Sequence, residues 1–347
     1  MADIERQLQE RAKSAIDAGT PVAIIAGGTK SFLGNRVAAE PLHVAGHSGI
    51  VDYDPRELVI TARCGTKLQE IEQVLSASSQ MLPFEPPHFG GAATLVGAVA
   101  CGLSGPRRPY AGSVRDHVLG CRIINGRGEV LNFGGKVMKN VAGFDVSRLM
   151  TGAFGTLGVL LEISLRVLPR PAASLTLVRE CRDPVPYLCG LASKPIPVDA
   201  AAQVEGLCHI RLSGSVRAVS EARNQLGGDA LDGHEAFWED LREQRLPFFG
   251  SDAPLWRIAS GPSAPMPNLH GTWLIDWGGS QRWLKSVAGE VEVRQAAEAI
   301  GGHATLFRGE GNAFNPLKGS LGALHQRLKA AFDPKGIFNP GRLYPEF

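Results

Sequence analysis

The sequence lacks paired cysteines, long apolar runs and a strong excess of either charge. Its six cysteines are scattered and form no Cys-x-x-Cys pair, so their spacing supports neither an iron–sulfur cluster nor a zinc ribbon. No run of about 20 apolar residues is present, and we therefore expect no transmembrane helix. The net charge of +2 gives no electrostatic reason to expect a nucleic-acid partner. Since no signal-peptide pattern opens the chain, we expect a cytoplasmic protein with reduced thiols.

Glycine, by contrast, is abundant. The 347 residues include 42 glycines, about 12% of the chain, whereas globular proteins use about 7%. Many of them lie between residues 90 and 158, so this region needs tight turns or a close approach of the backbone to a ligand. With 44% hydrophobic and 20% charged residues, the composition otherwise indicates a globular chain of two or three domains.

The first glycine-rich loop follows a short apolar run at 22–26 that predicts a buried strand. The loop residues are Gly27, Gly28, Thr29, Lys30 and Ser31. Glycine lets successive backbone N–H groups point at one anion, while the hydroxyl groups and the lysine add donors and positive charge. The spacing matches neither the Walker loop nor the Gly-x-Gly-x-x-Gly pattern. Taken alone, the loop indicates either a phosphate or pyrophosphate site or a plain turn.

Apolar periodicity predicts an α+β chain in two parts. An amphipathic helix precedes the first strand, and a capping box starting at Thr66 predicts a second helix. Further strands are expected at 58–62, 118–124, 130–133 and 159–168. The segment Pro169-Arg170-Pro171 is the best linker candidate. Beyond it we expect strands at 204–212, 273–277 and 304–307, and helices at 216–226, 236–245, 287–300 and 320–332.

Further glycine-rich segments continue the pattern of the first loop. They read GAATLVG at 91–97, GLSG at 102–105, YAGSVRD at 110–116, GFD at 143–145 and GAFGTLGV at 152–159. Their order and spacing resemble the FAD-binding domain of the vanillyl-alcohol oxidase family over residues 20–170. The tail FDPKGIFNPGRL at 332–343 resembles the end of that flavin domain.

The resemblance implies a two-domain α+β flavoprotein with a vanillyl-alcohol oxidase type (PCMH-type) FAD-binding domain and an α+β cap. The expected divisions are the FAD-binding domain at 1–170, the cap at 171–305 and a C-terminal segment at 306–347 that returns to the FAD domain. The segments SGPRRPYAGS at 104–113 and VMKNVAGFDVSRL at 137–149 narrow the resemblance to the flavin subunits of bacterial glycolate oxidases.

This narrower resemblance implies an FAD-dependent oxidoreductase that oxidises a small 2-hydroxy acid, glycolate, to glyoxylate. It implies a complex with a larger FAD-containing subunit and an iron–sulfur subunit, through which the chain would reach the inner membrane peripherally. Two alternatives stay open. The chain could carry FAD without catalysing a reaction itself, or it could be a stand-alone FAD-dependent 2-hydroxy-acid oxidase.

The resemblance also implies which residues contact FAD. The loop at 27–31 would hold the pyrophosphate, and the backbone of Val159 would contact the adenine side. Asn339 and Arg342 would return near the flavin ring. The residues expected to line the FAD channel are Thr94, Gly97, Gly102, Ser104, Gly105 and Gly112.

Two departures from the family pattern qualify these expectations. Thr29 stands where members with a covalently attached flavin often carry histidine, so we expect non-covalent FAD. Larger single-chain relatives carry a late Gly-Asp-Gly-Asn-Leu-His, whereas this chain reads GEGNAF at 309–314 and ends it with Phe314. We therefore expect little substrate oxidation by this chain alone, and the sequence identifies no catalytic residue.

Other residues permit two interpretations each. Arg107 and Arg108 either pair with an FAD phosphate or substrate carboxylate, or lie in a solvated loop. His303 is either a base near the flavin or a plain loop residue. His43 and His47 would lie ~13 Å apart in an extended segment, so we expect no metal site there. An aromatic group forms either cap core or a docking surface, and consists of Phe237, Trp238, Phe248, Phe249 and Trp256.

Overall fold

The computed structural model describes residues 2–135 and 145–346, so most of the 137–149 motif, including Gly143 and Phe144, lies outside the described residues. The strands are β1 (Val22–Ile25), β2 (Glu40–His43), β3 (Ile50–Asp54), β4 (Val59–Arg63), β5 (Gln80–Met81), β6 (Val118–Ile124), β7 (Val130–Gly134), β8 (Val159–Arg166), β9 (Leu168–Pro169), β10 (Ala173–Glu180), β11 (Val198–Val204), β12 (Leu207–Gly214), β13 (Asp229–Ala230), β14 (Leu255–Ala259), β15 (Thr272–Asp276), β16 (Gln281–Lys285) and β17 (His303–Arg308).

The helices lie before, between and after groups of these strands. They are α1 (Ala2–Ala18), α2 (Leu68–Ala77), α3 (Leu95–Cys101), α4 (Arg108–Ala111), α5 (Val114–His117), α6 (Val146–Leu149), α7 (Pro184–Leu191), α8 (Val216–Leu226), α9 (His234–Glu243), α10 (Glu290–Ala299) and α11 (Ser320–Phe332). Within the described ranges, none of these helices combines the length and apolarity needed to cross a bilayer.

The first half of the chain is built around an antiparallel five-stranded sheet of order β3-β4-β8-β6-β7. β1 and β2 form a separate parallel pair. Buried residues of α1, α2 and α3 join the sheet in one hydrophobic core. The apolar face of α1, with Leu8, Ala12 and Ile16, is buried in this core as the sequence predicts.

The second half is built around an antiparallel eight-stranded sheet of order β13-β10-β12-β11-β15-β16-β14-β17. On one face, α7, α8 and α10 cover the apolar side chains. On the other face, Leu255, Leu274 and Trp283 pack with Leu103 and Phe154 from the first half. This second face therefore meets the glycine-rich part of the chain directly.

The C-terminal tail returns to the first half and extends the β1–β2 pair. The N–H of Val22 donates to the carbonyl of Ile337 at 2.9 Å, and the N–H of Asn339 donates to the carbonyl of Val22 at 3.0 Å. The buried Lys329 fixes the turn before it, because its Nζ lies 2.7 Å from Asp333 and 2.8 Å from the carbonyl of Phe338. The tail is thereby held beside β1.

Two local predictions are wrong in detail, and one strand is longer than predicted. α2 begins at Leu68 without a side-chain cap, because the hydroxyl of Thr66 bonds the N–H and carbonyl of Gly49 instead. The strand predicted at 204–212 is a hairpin, since Glu205 and Gly206 both take positive φ and turn the chain. β17 runs from 303 to 308 and pairs with β14. The expected division between the cap and the C-terminal segment, between 305 and 306, therefore lies within this strand.

Candidate functional site

An open cleft of about 240 Å³ lies between β1, the loop at 27–31, α3 and the C-terminal tail. Nine of the fourteen residues expected to contact FAD line it. They are Gly27, Gly28, Thr29, Lys30, Ser31, Thr94, Gly97, Asn339 and Arg342. Residues distant in sequence are therefore brought together around one space.

The loop at 27–31 presents backbone donors to this cleft. Gly28 has φ +71°, a conformation that glycine adopts without strain. A side chain at Gly27 would overlap the carbonyl oxygen of Ala92, so only glycine fits there. Among the described residues, the N–H groups of Gly28, Thr29 and Lys30 have no hydrogen-bond partner, whereas the N–H of Ser31 donates to the carbonyl of Gly28 at 3.1 Å. Three consecutive N–H groups are thus available for an anion.

Lys30 places a cation inside the same cleft. Its side chain is only 5% exposed, and burial lowers its pKa. Nζ donates to the carbonyl of His88 at 3.1 Å and lies 5.7 Å from the centre of the Phe89 ring. A buried ammonium without a carboxylate in contact is stabilised by an anionic ligand. The residues of the cleft therefore fit a phosphate-containing group such as the pyrophosphate of FAD.

Arg342 and Asn339 support the cleft from the tail. The Arg342 guanidinium donates to the carbonyls of Ser31, Leu33 and Asn35 at 3.1, 2.6 and 2.8 Å. It therefore fixes the far side of the loop at 27–31. Asn339 joins β1 to the turn at Phe154 through both atoms of its amide.

The short helix α3 begins at the cleft. The hydroxyl of Thr94 accepts a hydrogen bond from the N–H of Gly97 at 3.3 Å and caps the helix. Gly102 ends the helix with φ +64°, and Gly112 ends α4 with φ +96°. Gly102, Gly112 and the fully buried Val159 do not line the cleft.

Ser104 and Gly105 line a second, small cavity between the two halves of the chain. The indole N–H of Trp277 donates to the carbonyl of Gly105 at 3.0 Å, and the Gly105 N–H donates to the carbonyl of Phe84 at 2.8 Å. Trp277 belongs to the second half, so this bond ties the glycine-rich segment to the eight-stranded sheet.

The cleft also contains residues that the sequence reasoning did not assign. Gly155 has φ +72°, and a Cβ there would lie 2.6 Å from Nδ2 of Asn339. The signal for this region was present in the GAFGTLGV pattern at 152–159. The unassigned lining residues include Ala26, Val37, Cys101, Phe154, Gly155, Gly158 and Leu160.

The two adjacent arginines have different surroundings. Arg107 is half-buried in an ion network, with Asp199 at 2.5 Å and Glu85 at 3.4 Å, so it does not lie in a solvated loop. Arg211 completes the network, 2.7 Å from Asp199 and 2.8 Å from Glu85. The Arg108 guanidinium lies over the Trp277 ring, 4.3 Å from its centre. Arg107 therefore joins the two halves of the chain.

His43, His47 and His303 do not line the cleft. His303 is exposed and lines neither the cleft nor the small cavity at Ser104 and Gly105. Potential ligand atoms of Glu5, His47 and Glu162 lie within 4.8 Å of one another, a set that the His43–His47 spacing did not suggest. Arg122 already pairs with Glu5 at 2.6 Å and Glu162 at 3.4 Å, so the carboxylates there have a cation.

The aromatic group of the second half is core. Trp238, Phe249 and Trp256 are buried, and Phe237 and Phe248 pack against the same apolar cluster as Trp238 and Phe249. The hypothesis of a docking surface is therefore wrong for the three buried residues. Trp238 and Phe249 are buried where α9 and the turn at 247–249 cover one sheet face, whereas Trp256 is buried in the cluster that contains α10.

Comparison with known families agrees with this geometry. Residues 2–134 match the FAD binding domain family, and residues 317–343 match the family described as FAD linked oxidases, C-terminal domain. The two matched segments contain the loop at 27–31, α3 and the tail with Asn339 and Arg342. They thus cover most of the residues around the cleft.

Individual proteins resemble the chain over most of its length. The glycolate oxidase subunit GlcE of Escherichia coli (strain K12) is 51% identical over 99% of this chain and 98% of its own. The glycolate oxidase subunit GlcD of Bacillus subtilis (strain 168) is 24% identical over 85% of this chain and 77% of its own. A solved alkyldihydroxyacetonephosphate synthase superposes with a TM-score of 0.68 at 15% identity, over 96% of this chain and 75% of that chain. The last likeness concerns the fold.

Proposed function

The chain belongs to the family of FAD-linked oxidases that includes the glycolate oxidase subunit GlcE, and from this premise we propose that it is the FAD-binding subunit of a glycolate oxidase complex. The chain is an FAD-dependent oxidoreductase. Its proposed reaction is the oxidation of glycolate, a small 2-hydroxy acid, to glyoxylate.

The loop at 27–31 is the structural observation that carries this proposal. Its free N–H groups and the buried Lys30 suit the two negative charges of a pyrophosphate. Bound FAD would accept the hydride that leaves the substrate carbon. The protein would supply the pyrophosphate contacts, and Arg342 would keep the loop in place from behind.

We propose that all fourteen expected residues serve the flavin, in three ways. The nine cleft residues would contact FAD, with Asn339 and Arg342 near the flavin ring, and Ser104 and Gly105 would line the channel. Gly102, Gly112 and Val159 would act through backbone conformation around the channel. Thr29 offers a hydroxyl where a covalent attachment would need histidine, and we therefore propose non-covalent FAD.

The proposed partners are a larger FAD-containing subunit and an iron–sulfur subunit. The names of the two glycolate oxidase relatives, GlcE and GlcD, support a multi-subunit assembly. A chain with no Cys-x-x-Cys pair lacks the usual ligand spacing for its own iron–sulfur cluster. Electrons from the flavin would pass to such a partner, which would also bring the chain to the inner membrane peripherally.

We propose that residues 1–170 and the tail form one FAD-binding domain, with the eight-stranded sheet as the cap between them. Since β17 pairs within the cap sheet, the proposed return to the FAD domain begins after Arg308 rather than at 306. The hydrogen bonds between the tail and Val22 of β1 support this proposed division.

A second candidate function is a subunit that carries FAD without oxidising substrate itself. The observation that favours it is Phe314, whose ring packs against Phe154 at 5.2 Å between centres. A phenyl ring cannot accept a proton, so this position supplies no base.

Anaerobic addition of glycolate to the purified chain, alone and with its partners, separates these functions. We expect the flavin absorbance of the complete complex to bleach, and that of the isolated chain to bleach at least ten-fold more slowly. Rapid bleaching in the isolated chain would point to a stand-alone oxidase. A chain that binds no flavin would contradict the proposed function altogether.

A further inference from the structure

Three polar side chains interrupt the otherwise apolar face of the eight-stranded sheet that packs against the first half of the chain. In the sheet, Asp276 of β15 lies directly opposite Gln281 of β16. Trp283 of β16 lies opposite Leu274 of β15 on one side and opposite Arg257 of β14 on the other. Directly paired residues of an antiparallel sheet lie on the same face, as do residues two apart in one strand. Asp276, Gln281 and Arg257 therefore share the face that packs against the glycine-rich segments.

These three side chains line the small cavity that Ser104 and Gly105 line from the opposite side. The cavity volume of about 30 Å³ restricts an occupant to a few heavy atoms. Arg257 and Asp276 are two strands apart across the sheet and two residues apart along the strand direction. Their Cα atoms are therefore separated by roughly 12 Å. The long arginine side chain spans much of this distance, and a small ligand can bridge the remainder.

Arg257 has no anionic partner in the described part of the chain, in which no hydrogen bond or ion pair reaches its guanidinium. The guanidinium lies 5.6 Å from the centre of the Phe307 ring. Burial and the nearby Arg108 lower its pKa to about 10. By contrast, the other arginine at this cavity, Arg242, pairs with Glu243 at 2.8 Å. An enclosed cation without a counter-ion is stabilised by an anion with two oxygens.

Asp276 offers the complementary polar group. It is 3% exposed, and its carboxylate accepts hydrogen bonds from the N–H of Trp277 at 2.6 Å and from the amide of Gln281 at 3.2 Å. Each carboxylate oxygen has a further lone pair for a donor such as a hydroxyl. The cavity thus combines one site for a carboxylate with one acceptor for a hydroxyl group.

We propose that this cavity is the binding site for the small 2-hydroxy acid, with Arg257 pairing with its carboxylate and Asp276 receiving its hydroxyl hydrogen bond. The inference rests on the proposed function and deepens it, since Ser104 and Gly105 are proposed to line the FAD channel. It places substrate between the glycine-rich segment and the cap sheet. It also favours a catalytic subunit over a passive carrier of FAD.

The test measures binding without turnover. The FAD-loaded full chain is titrated anaerobically with oxalate, a non-oxidisable dicarboxylate, and the flavin absorbance and heat of binding are recorded. We expect Arg257→Gln to weaken binding about 10- to 100-fold, and Arg257→Lys to weaken it less, because the charge stays. The matched control is Arg308→Gln, another arginine without a carboxylate partner, which lies over the Phe32, Phe89 and Phe307 rings but does not itself line the cavity.

The outcomes separate this inference from the proposed function. Loss of binding in Arg257→Gln, with normal FAD content and normal binding in Arg308→Gln, supports the site. Unchanged binding in Arg257→Gln overturns it, even where the complex still oxidises glycolate. Loss of FAD itself in both Arg257 variants assigns the arginine to the flavin and also overturns the inference.

Discussion

The side-chain oxygen of Asn339 accepts a hydrogen bond from the N–H of Ile24 at 2.7 Å, across 315 residues of chain. Its amide N–H group donates to the carbonyl of Phe154 at 2.6 Å. One side chain therefore joins β1, the tail and the turn that opens the GAFGTLGV segment. We conclude that Asn339 positions the walls of the cleft.

Replacing Asn339 with alanine should destabilise the protein and reduce its FAD content. The change leaves the N–H of Ile24 and the carbonyl of Phe154 without partners, which costs about 1–3 kcal/mol. Asn339 also has φ +44°, which asparagine tolerates better than alanine. Thermal unfolding and flavin content measure the effect. Asn224→Ala, on the exposed face of α8, is the control and should stay within about 0.5 kcal/mol of wild type.

Replacing Gly28 with valine should abolish FAD binding. Its φ is +71°, and a side chain there would enter the cleft where the pyrophosphate is proposed. Gly206→Val is a matched control, because Gly206 has φ +83° and open space but lies in the hairpin between β11 and β12. It should lose stability and keep its flavin. Equal flavin loss in both variants would mean that backbone strain alone explains the effect.

Precipitation with acid should release all flavin from the protein. Thr29 occupies the position of the covalent attachment, and a hydroxyl forms no flavin bond under these conditions. Absorbance of the supernatant at the flavin maximum, compared with the pellet, gives the answer. Flavin retained in the pellet would contradict non-covalent binding.

The contribution of Asp276 to the free energy of unfolding should fall as the pH rises from about 4 to about 7. Burial raises its pKa to about 7, so in this range the folded state holds a proton that the unfolded state has lost. The free energy of unfolding contributed by this group therefore falls with pH and levels off above 7. Denaturant unfolding of wild type and Asp276→Asn at pH 5 and pH 8 should show a smaller decline in the variant. Parallel declines would contradict the raised pKa.

Much of the fold could be predicted because local patterns determine it. α8 and α11 have the bounds expected from their apolar spacing, and Gly227 ends α8. Local patterns failed where a distant residue competes, as when Thr66 bonds Gly49 instead of capping α2. The loop at 27–31 was recognised because its residues are contiguous.

The second cavity could not be predicted from the sequence. Arg257 and Asp276 are 19 positions apart and meet only because β14, β16 and β15 pair in a particular order and register. β14 and β16 were not predicted as strands, and strand order depends on packing across the whole sheet. A lone arginine and a lone aspartate also carry no motif that would single them out.

A crystal structure of the FAD-loaded chain tests the central claim most directly. We predict pyrophosphate oxygens within about 2.7–3.2 Å of the N–H groups of Gly28, Thr29 and Lys30. A pyrophosphate bound away from the loop at 27–31 would contradict the account.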